Sequence, residues 1–275
     1  MCWKSRVCYP SGTLDFIDLG GIVLRQNQRS TETNLAMAMA MVALGYWAFG
    51  KLGLSLAVPP GYATAIWPSS GIALAGILAF GYRVFPGIFF GSFAVNLSLS
   101  PSFHSVSEFL SIAPVPALIA CGATAQAVVG SLLVRRFAGF PNHLVREQDV
   151  LSFMFYGGAL GSLVNSILGP TILRLFGIVE PDAYLINALT WWFGDTVGVV
   201  LFAPLVLVWV MKPAELWRER RITVTVPMAL TMLVAYLIVS NGASWERTQL
   251  ALKFNRQVSA VGAAVHNQIV IHEGL

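Results

Sequence analysis

The stretch Ala183–Met211, AYLINALTWWFGDTVGVVLFAPLVLVWVM, decides the fold, because it carries a single charge, Asp195. As a helix it extends for about 44 Å, more than enough for a hydrocarbon layer of about 30 Å. Its apolar residues run unbroken, whereas barrel strands alternate in segments of about ten residues, so the segment is predicted to be a helix. Six further windows are free of charge: Thr33–Gly50, Tyr62–Tyr82, Val84–Ser100, Phe109–Val134, Val150–Leu173 and Ile222–Ser240. Composition agrees. Only 11% of residues are charged and 56% are hydrophobic, against about 25% charged in soluble domains, and the mean hydropathy is +0.70. The expectation is an all-α polytopic transmembrane helical bundle of about seven spans, with lipid as its main solvent.

Basic residues orient the bundle. With the N-terminus inside, the cytoplasmic segments hold Lys4, Arg6, Arg25, Arg29, Arg83, Arg135, Arg136, Arg146, Lys212, Arg218, Arg220 and Arg221. The outer connections between spans hold only Lys51 and Arg174. This bias predicts a multi-pass protein of a bacterial inner membrane, N-terminus cytoplasmic and C-terminus extracytoplasmic. The net charge of +4 then meets anionic membrane lipids, and no nucleic acid is needed to explain it. Three regions follow: a weakly ordered cytoplasmic segment over 1–32, a membrane-embedded domain over 33–240, and an extracytoplasmic tail over 241–275. In the tail, Leu250, Phe254, Val258, Val261, Val265 and Ile269 recur at three- and four-residue spacings, the pattern of an amphipathic helix. A lone helix cannot bury such a stripe, so either another chain covers it, as in a homodimer or with a signalling partner, or the sequence is cut short.

Polar groups inside the membrane are costly, about 2.5–3.5 kcal/mol for an acid at mid-span, and default to functional candidates. At helical spacing Asn187, Trp191, Asp195 and Gly198 share one face that must look into the bundle. Asp195 is either an acid that glues helices together or part of a ligand site. In the second span, Trp67-Pro68-Ser69-Ser70-Gly71 places a proline where it removes a backbone donor and disfavours helix in the residue before it. A broken helix starting near Pro68 is expected, either as a simple kink or as a half-helix end whose amides receive an anionic group. In the derived topology Trp67, Ser69, Ser70, Asn96, Asn165, Trp191, Trp192 and Asp195 lie at similar outer depth. They form the candidate ligand pocket, walled by tryptophan and floored by Asp195.

Other patterns read as packing. Gly87 and Gly91 form a G-x-x-x-G; Gly157, Gly161, Asn165 and Gly169 repeat every four residues, as do Gly122, Gln126 and Gly130. Small residues at this spacing let helices approach closely. His104 and His143 lie in loops and His266 and His272 in the tail, so no span carries the base of a Ser–His protease or a His metal site. The last span holds no Lys for a retinal Schiff base, and no Gly-rich phosphate loop followed by Lys occurs. Cys2, Cys8 and Cys121 form neither a metal cluster nor a disulfide framework. No catalytic residue, metal or cofactor is expected.

The run from Trp67 to Leu74, then Phe80-Gly81-Tyr82-Arg83-Val84-Phe85-Pro86-Gly87, Gly91 and Asn96, resembles the first family of bacterial membrane-associated sensor (MASE) domains. So do the segment from Trp191 to Gly198, Ala203-Pro204-Leu205, the pair Arg135-Arg136, and Asp149-Val150-Leu151. The tail resembles the opening helix of an extracytoplasmic CHASE-type sensor domain. The resemblance implies a sensory input module that normally feeds a histidine kinase or diguanylate cyclase, an output domain absent here; it brings no catalytic residues. Two other readings stay open: a small-solute transporter, suggested by the broken span and the buried acid, and a scaffold anchoring a signalling partner.

Overall fold

A computed structural model describes residues 20–55 (backbone alone over 20–33), 64, 66–140, 146–211, 217–218, 220–234, 237, 256 and 258–259. Helix α1 spans Gly20–Ser55, α2 Pro68–Phe80, α3 Phe85–Leu97, α4 Val106–Ile112, α5 Pro114–Phe137, α6 Glu147–Phe153, α7 Gly161–Leu175 and α8 Tyr184–Val210. A π-helical stretch, Met154–Leu160, joins α6 to α7 without a break. The described residues are helical or irregular and include no strand. Among the described residues four helical stretches are long and apolar enough to cross a membrane: Asn34–Ser55, Pro114–Phe137, Glu147–Leu175 and Pro181–Val210.

The second and third windows do not become full-length helices. α2 and α3 have 13 residues each, about 20 Å of rise, short of a hydrocarbon layer of about 30 Å. α2 begins at Pro68, as expected from the proline at its first turn. It ends where Gly81, at φ 85°, turns the chain into the 3-10 turn Tyr82–Val84. Every residue of α2 from Pro68 to Leu78 is buried, so protein rather than lipid surrounds all but its last two residues, of which Phe80 is exposed. This is the condition under which interrupted backbone is tolerated at membrane depth.

α2 is the central post. It packs chiefly on α8, then on α1 and α5, while α3 lies against α1 and α5, and α7 against α5 and α8. The α2–α8 contact is backbone to backbone. A Cβ on Gly198 would collide with the Trp67 carbonyl oxygen and the Ser70 hydroxyl, and one on Gly71 with the Gly198 carbonyl oxygen. The G-x-x-x-G of α3 works the same way, with Gly87 against the Met39 carbonyl and Gly91 against the Ala43 carbonyl of α1. One core gathers Val42, Tyr46, Ile77, Ile88 and Val95; a second gathers Leu74, Val134, Phe153, Val199 and Leu207 on the other side of α2. Large apolar side chains such as Met37, Leu44, Phe90, Leu132, Ile167, Ile186 and Phe193 point outward, as lipid-facing positions do.

The fifth window is helical as expected, but the π-helical stretch interrupts its α-helical register. Residues 220–234, of which 222–234 fall in the last window, are helical. They meet the end of α8 through the Trp209 indole, which donates to Thr225 Oγ1 at 3.1 Å and lies 4.8 Å below the Arg221 guanidinium. α1 starts at Gly20, ahead of the boundary expected at residue 32. The amphipathic pattern over 241–275 falls almost wholly outside the described residues.

Candidate functional site

The start of α2 is where the site forms. Pro68 cannot donate a backbone hydrogen bond, so the chain before it is extended and its polar groups need outside partners. The Trp67 N–H donates to the Gly194 carbonyl of α8 at 2.9 Å. Ser70 Oγ donates to the Asp195 carbonyl at 2.9 Å and lies 2.8 Å from the Trp67 carbonyl. Ser69 Oγ donates to the Tyr46 carbonyl of α1 at 2.6 Å. These bonds pin the broken end of α2 between α1 and α8.

That arrangement corrects part of the expected pocket. Ser69 and Ser70 are buried and face neighbouring backbone, not an open space. The half-helix end is closed over by α8 and is not an open anion cradle. Trp192 also points elsewhere: its indole donates to the Ala159 carbonyl at 2.8 Å, inside the π-helical stretch. The bond ties α8 to the stretch where the α-helical register is interrupted.

Five of the expected residues do come together. Trp67, Asn96, Asn165, Trp191 and Asp195 line one cleft, with Tyr46, Leu54, Thr64, Ser92, Leu99 and Ile119. It encloses about 450 Å³ between its walls, mouth included, although its interior has room for only about two water-sized groups. A second hollow of about 600 Å³ shares Asn96 and Ile119 with it and is lined also by Ser100, Pro101, Ser111, Pro116, Leu173 and Ile178. The pair therefore opens at the end of the bundle where α3 and α7 finish and α5 and α8 begin.

Asp195 is 3% exposed and is surrounded by amides. Asn165 Nδ2 of α7 approaches Asp195 Oδ2 at 3.5 Å, and Gln126 of α5 is a hydrogen-bond partner of the same carboxylate. Around this acid several buried atoms have no partner: Gln126 Oε1, Asn165 Oδ1 and the Trp191 indole nitrogen. Native proteins leave few such groups, and each asks for an explanation. On the opposite wall the Trp67 indole nitrogen is 3.4 Å from the Tyr46 hydroxyl, which also bonds Ser92. Asn96 Nδ2 turns back to the Ser92 carbonyl at 2.9 Å.

Sequence reasoning missed Tyr46, Thr64, Ser92 and Gln126. Gln126 had been read as part of a small-residue row, yet a lone amide inside a charge-free span was itself a signal. Tyr46 carries no such mark, because a tyrosine in an apolar helix is ordinary. Among the described residues no three of His, Cys, Asp and Glu gather as metal ligands.

A family model, MASE1, matches residues 36–245. The match ends near the start of the tail expected to open a CHASE-type domain, and lends that expectation no support. Searches of curated proteins and of solved structures find no match. The MASE1 match covers well over half of the chain, from α1 through the last helical segment, and so this multi-pass membrane protein belongs to the MASE1 family, the integral membrane sensory domains of bacterial signalling proteins.

Proposed function

We propose that this chain is an input module of the bacterial inner membrane that reads a small signal molecule in the cleft around Asp195. The observation that carries the reading is a carboxylate at 3% exposure, ringed by amides, facing a cleft that tryptophan walls. Such a group is expensive to bury, and packing alone has no use for the unpartnered polar atoms beside it. Within this reading the bundle has seven crossings and its cleft opens to the extracytoplasmic side. Support for that orientation comes from Arg83 and Arg146 in the connections at the other end and from Arg135 and Arg136 in the last turn of α5. Occupancy favours one packing of α2 on α8, and the seventh span carries the bias onward. A tail of CHASE type, paired with a second copy or with a partner, would relay it to a kinase or cyclase output domain.

The test is the variant Asp195→Asn in cells. It is expected to insert at wild-type levels while its signalling output, read as cyclic-di-GMP or as phosphorylated kinase, no longer follows the medium. Unchanged output with normal insertion overturns the reading. Alkaline phosphatase fused behind residue 240 is expected to be active, which tests the orientation separately. The half-length α2 beside a buried acid also suits a transporter; solute flux in liposomes, abolished by the same substitution, would favour that reading instead.

A further inference from the structure

We infer that the cleft takes a small organic cation bearing N–H donors, a primary ammonium, with its charge against Asp195 and its carbon flank against Trp67 and Trp191. This rests on the cleft's being the signal-reading site and names the class of ligand it takes.

The first argument is charge. Asp195 is enclosed by amides from Asn165 and Gln126, not by a guanidinium or an ammonium of the described residues. A carboxylate buried without a counter-charge takes up either a proton or a cation, and a cationic ligand supplies the second. Neutral and anionic ligands do not.

The second argument is the unused acceptors. Gln126 and Asn165 are 6% and 4% exposed, and each has a side-chain oxygen with no partner. Their N–H groups now serve Asp195 alone. Rotation of either terminal amide by half a turn brings its oxygen to the place its nitrogen occupies. The same shell then accepts N–H bonds from a cation seated on the carboxylate. An ammonium offers three such donors, as a lysine head does.

The third argument is the wall. Tyr46, Trp67 and Trp191 line the cleft, and aromatic rings attract organic cations, with tryptophan the strongest of them. A hydrated inorganic ion gains less from such a wall than an alkylammonium, which presents both charge and apolar surface. The narrow interior, room for about two water-sized groups, limits the ligand to a few heavy atoms. At this end of the bundle Glu108 of α4 and Glu180 and Asp182 ahead of α8 stand against Lys51 of α1 and Arg174 of α7, a balance that does not repel a cation.

The experiment uses the full chain in lipid nanodiscs, followed by intrinsic tryptophan fluorescence. Four probes are titrated: ethylammonium, acetamide, acetate and sodium, all as matched-ionic-strength solutions. Ethylammonium is expected to give a saturable change, with acetamide, acetate and sodium at least about tenfold weaker, as loss of a buried charge partner implies. Asp195→Asn should weaken ethylammonium about tenfold or more. Trp67→Leu should weaken it about threefold, the worth of one cation–aromatic contact. Thermal unfolding of each variant verifies folding; should Asp195→Asn not fold, the Trp67→Leu arm and the probe ranking carry the test. Equal binding of acetamide or acetate, saturation by sodium in the same range, or no saturable response to ethylammonium overturns the inference. In the last case, output that still depends on Asp195 in cells leaves the sensory reading standing and removes only this ligand class. Ethylammonium binding with output indifferent to Asp195→Asn separates the two the other way.

Discussion

The two ends of α2 face the same physical problem and solve it differently. A 13-residue helix inside a membrane protein has terminal amides and carbonyls that lipid cannot satisfy. At its C-terminal end Arg135 of α5 reaches the Ile77 and Leu78 carbonyls, both at 3.2 Å, with its guanidinium against the Tyr82 and Phe140 rings. The Gly81 N–H closes on the Ile77 carbonyl at 2.9 Å. One long, partly buried side chain thus caps the helix where Phe80 and Tyr82 are exposed. At its N-terminal end the caps come from α1 and α8, through Ser69, Ser70 and the Trp67 amide, and beside them lies a cleft whose polar atoms are only partly used. The Arg135 end holds the post in place with one atom, Arg135 Nε, left unpartnered, whereas the end with several unused polar groups around a buried acid is where binding energy can act on the packing of α2 against α8.

Three substitutions sharpen that contrast. The largest effect is expected from Gly198→Val, which forces two carbon branches into the Trp67 carbonyl and the Ser70 hydroxyl. A loss of about 3 kcal/mol or more is expected, read as a collapse of folded yield in detergent. Normal folding of this variant would mean that α2 and α8 are not in backbone contact. Next comes Arg135→Met, which strips two carbonyls of their cap and two rings of their cation. About 2 kcal/mol of stability should be lost in thermal unfolding, with the response at the cleft unaltered; a lost response at full stability would tie the two ends together. The smallest is Trp192→Phe, worth about 1 kcal/mol because a single interhelical bond to the Ala159 carbonyl is removed. Ligand response should be retained, and its disappearance would put Trp192 in the site after all.

The roles of Asp195 and Trp192 show how far the sequence could be read. An acid in an otherwise uncharged span has only the bundle interior to face, because the alternative is lipid. Its inward direction therefore follows from solvation alone, without coordinates. Trp192 is three residues away in sequence and equally conspicuous, yet its partner is a carbonyl in a π-helical stretch 33 residues away. Nothing in local composition announces that register. Ser69 and Ser70 teach the same lesson: their sequence position beside Pro68 made them available to freed backbone groups, but only the arrival of α1 and α8 decided that these groups belong to Tyr46 and Asp195.

Hydropathy and charge placement by themselves determined that the chain is a helical membrane bundle, where its helices begin to be apolar, that Pro68 starts a new helix, and that Asp195 faces protein. These are properties of single segments against a solvent, and a segment carries them wherever it is packed. Tertiary structure decided that α2 and α3 are half-length, that α2 stands at the centre buried from Pro68 to Leu78, that Tyr46 and Ser92 join the cleft, and that Gln126 bonds its carboxylate. Those outcomes depend on which helix meets which. Close approach at Gly71 and Gly198, and at Gly87 and Gly91, selects the neighbours through shape, and shape complementarity between distant segments is not written in the pattern of either one.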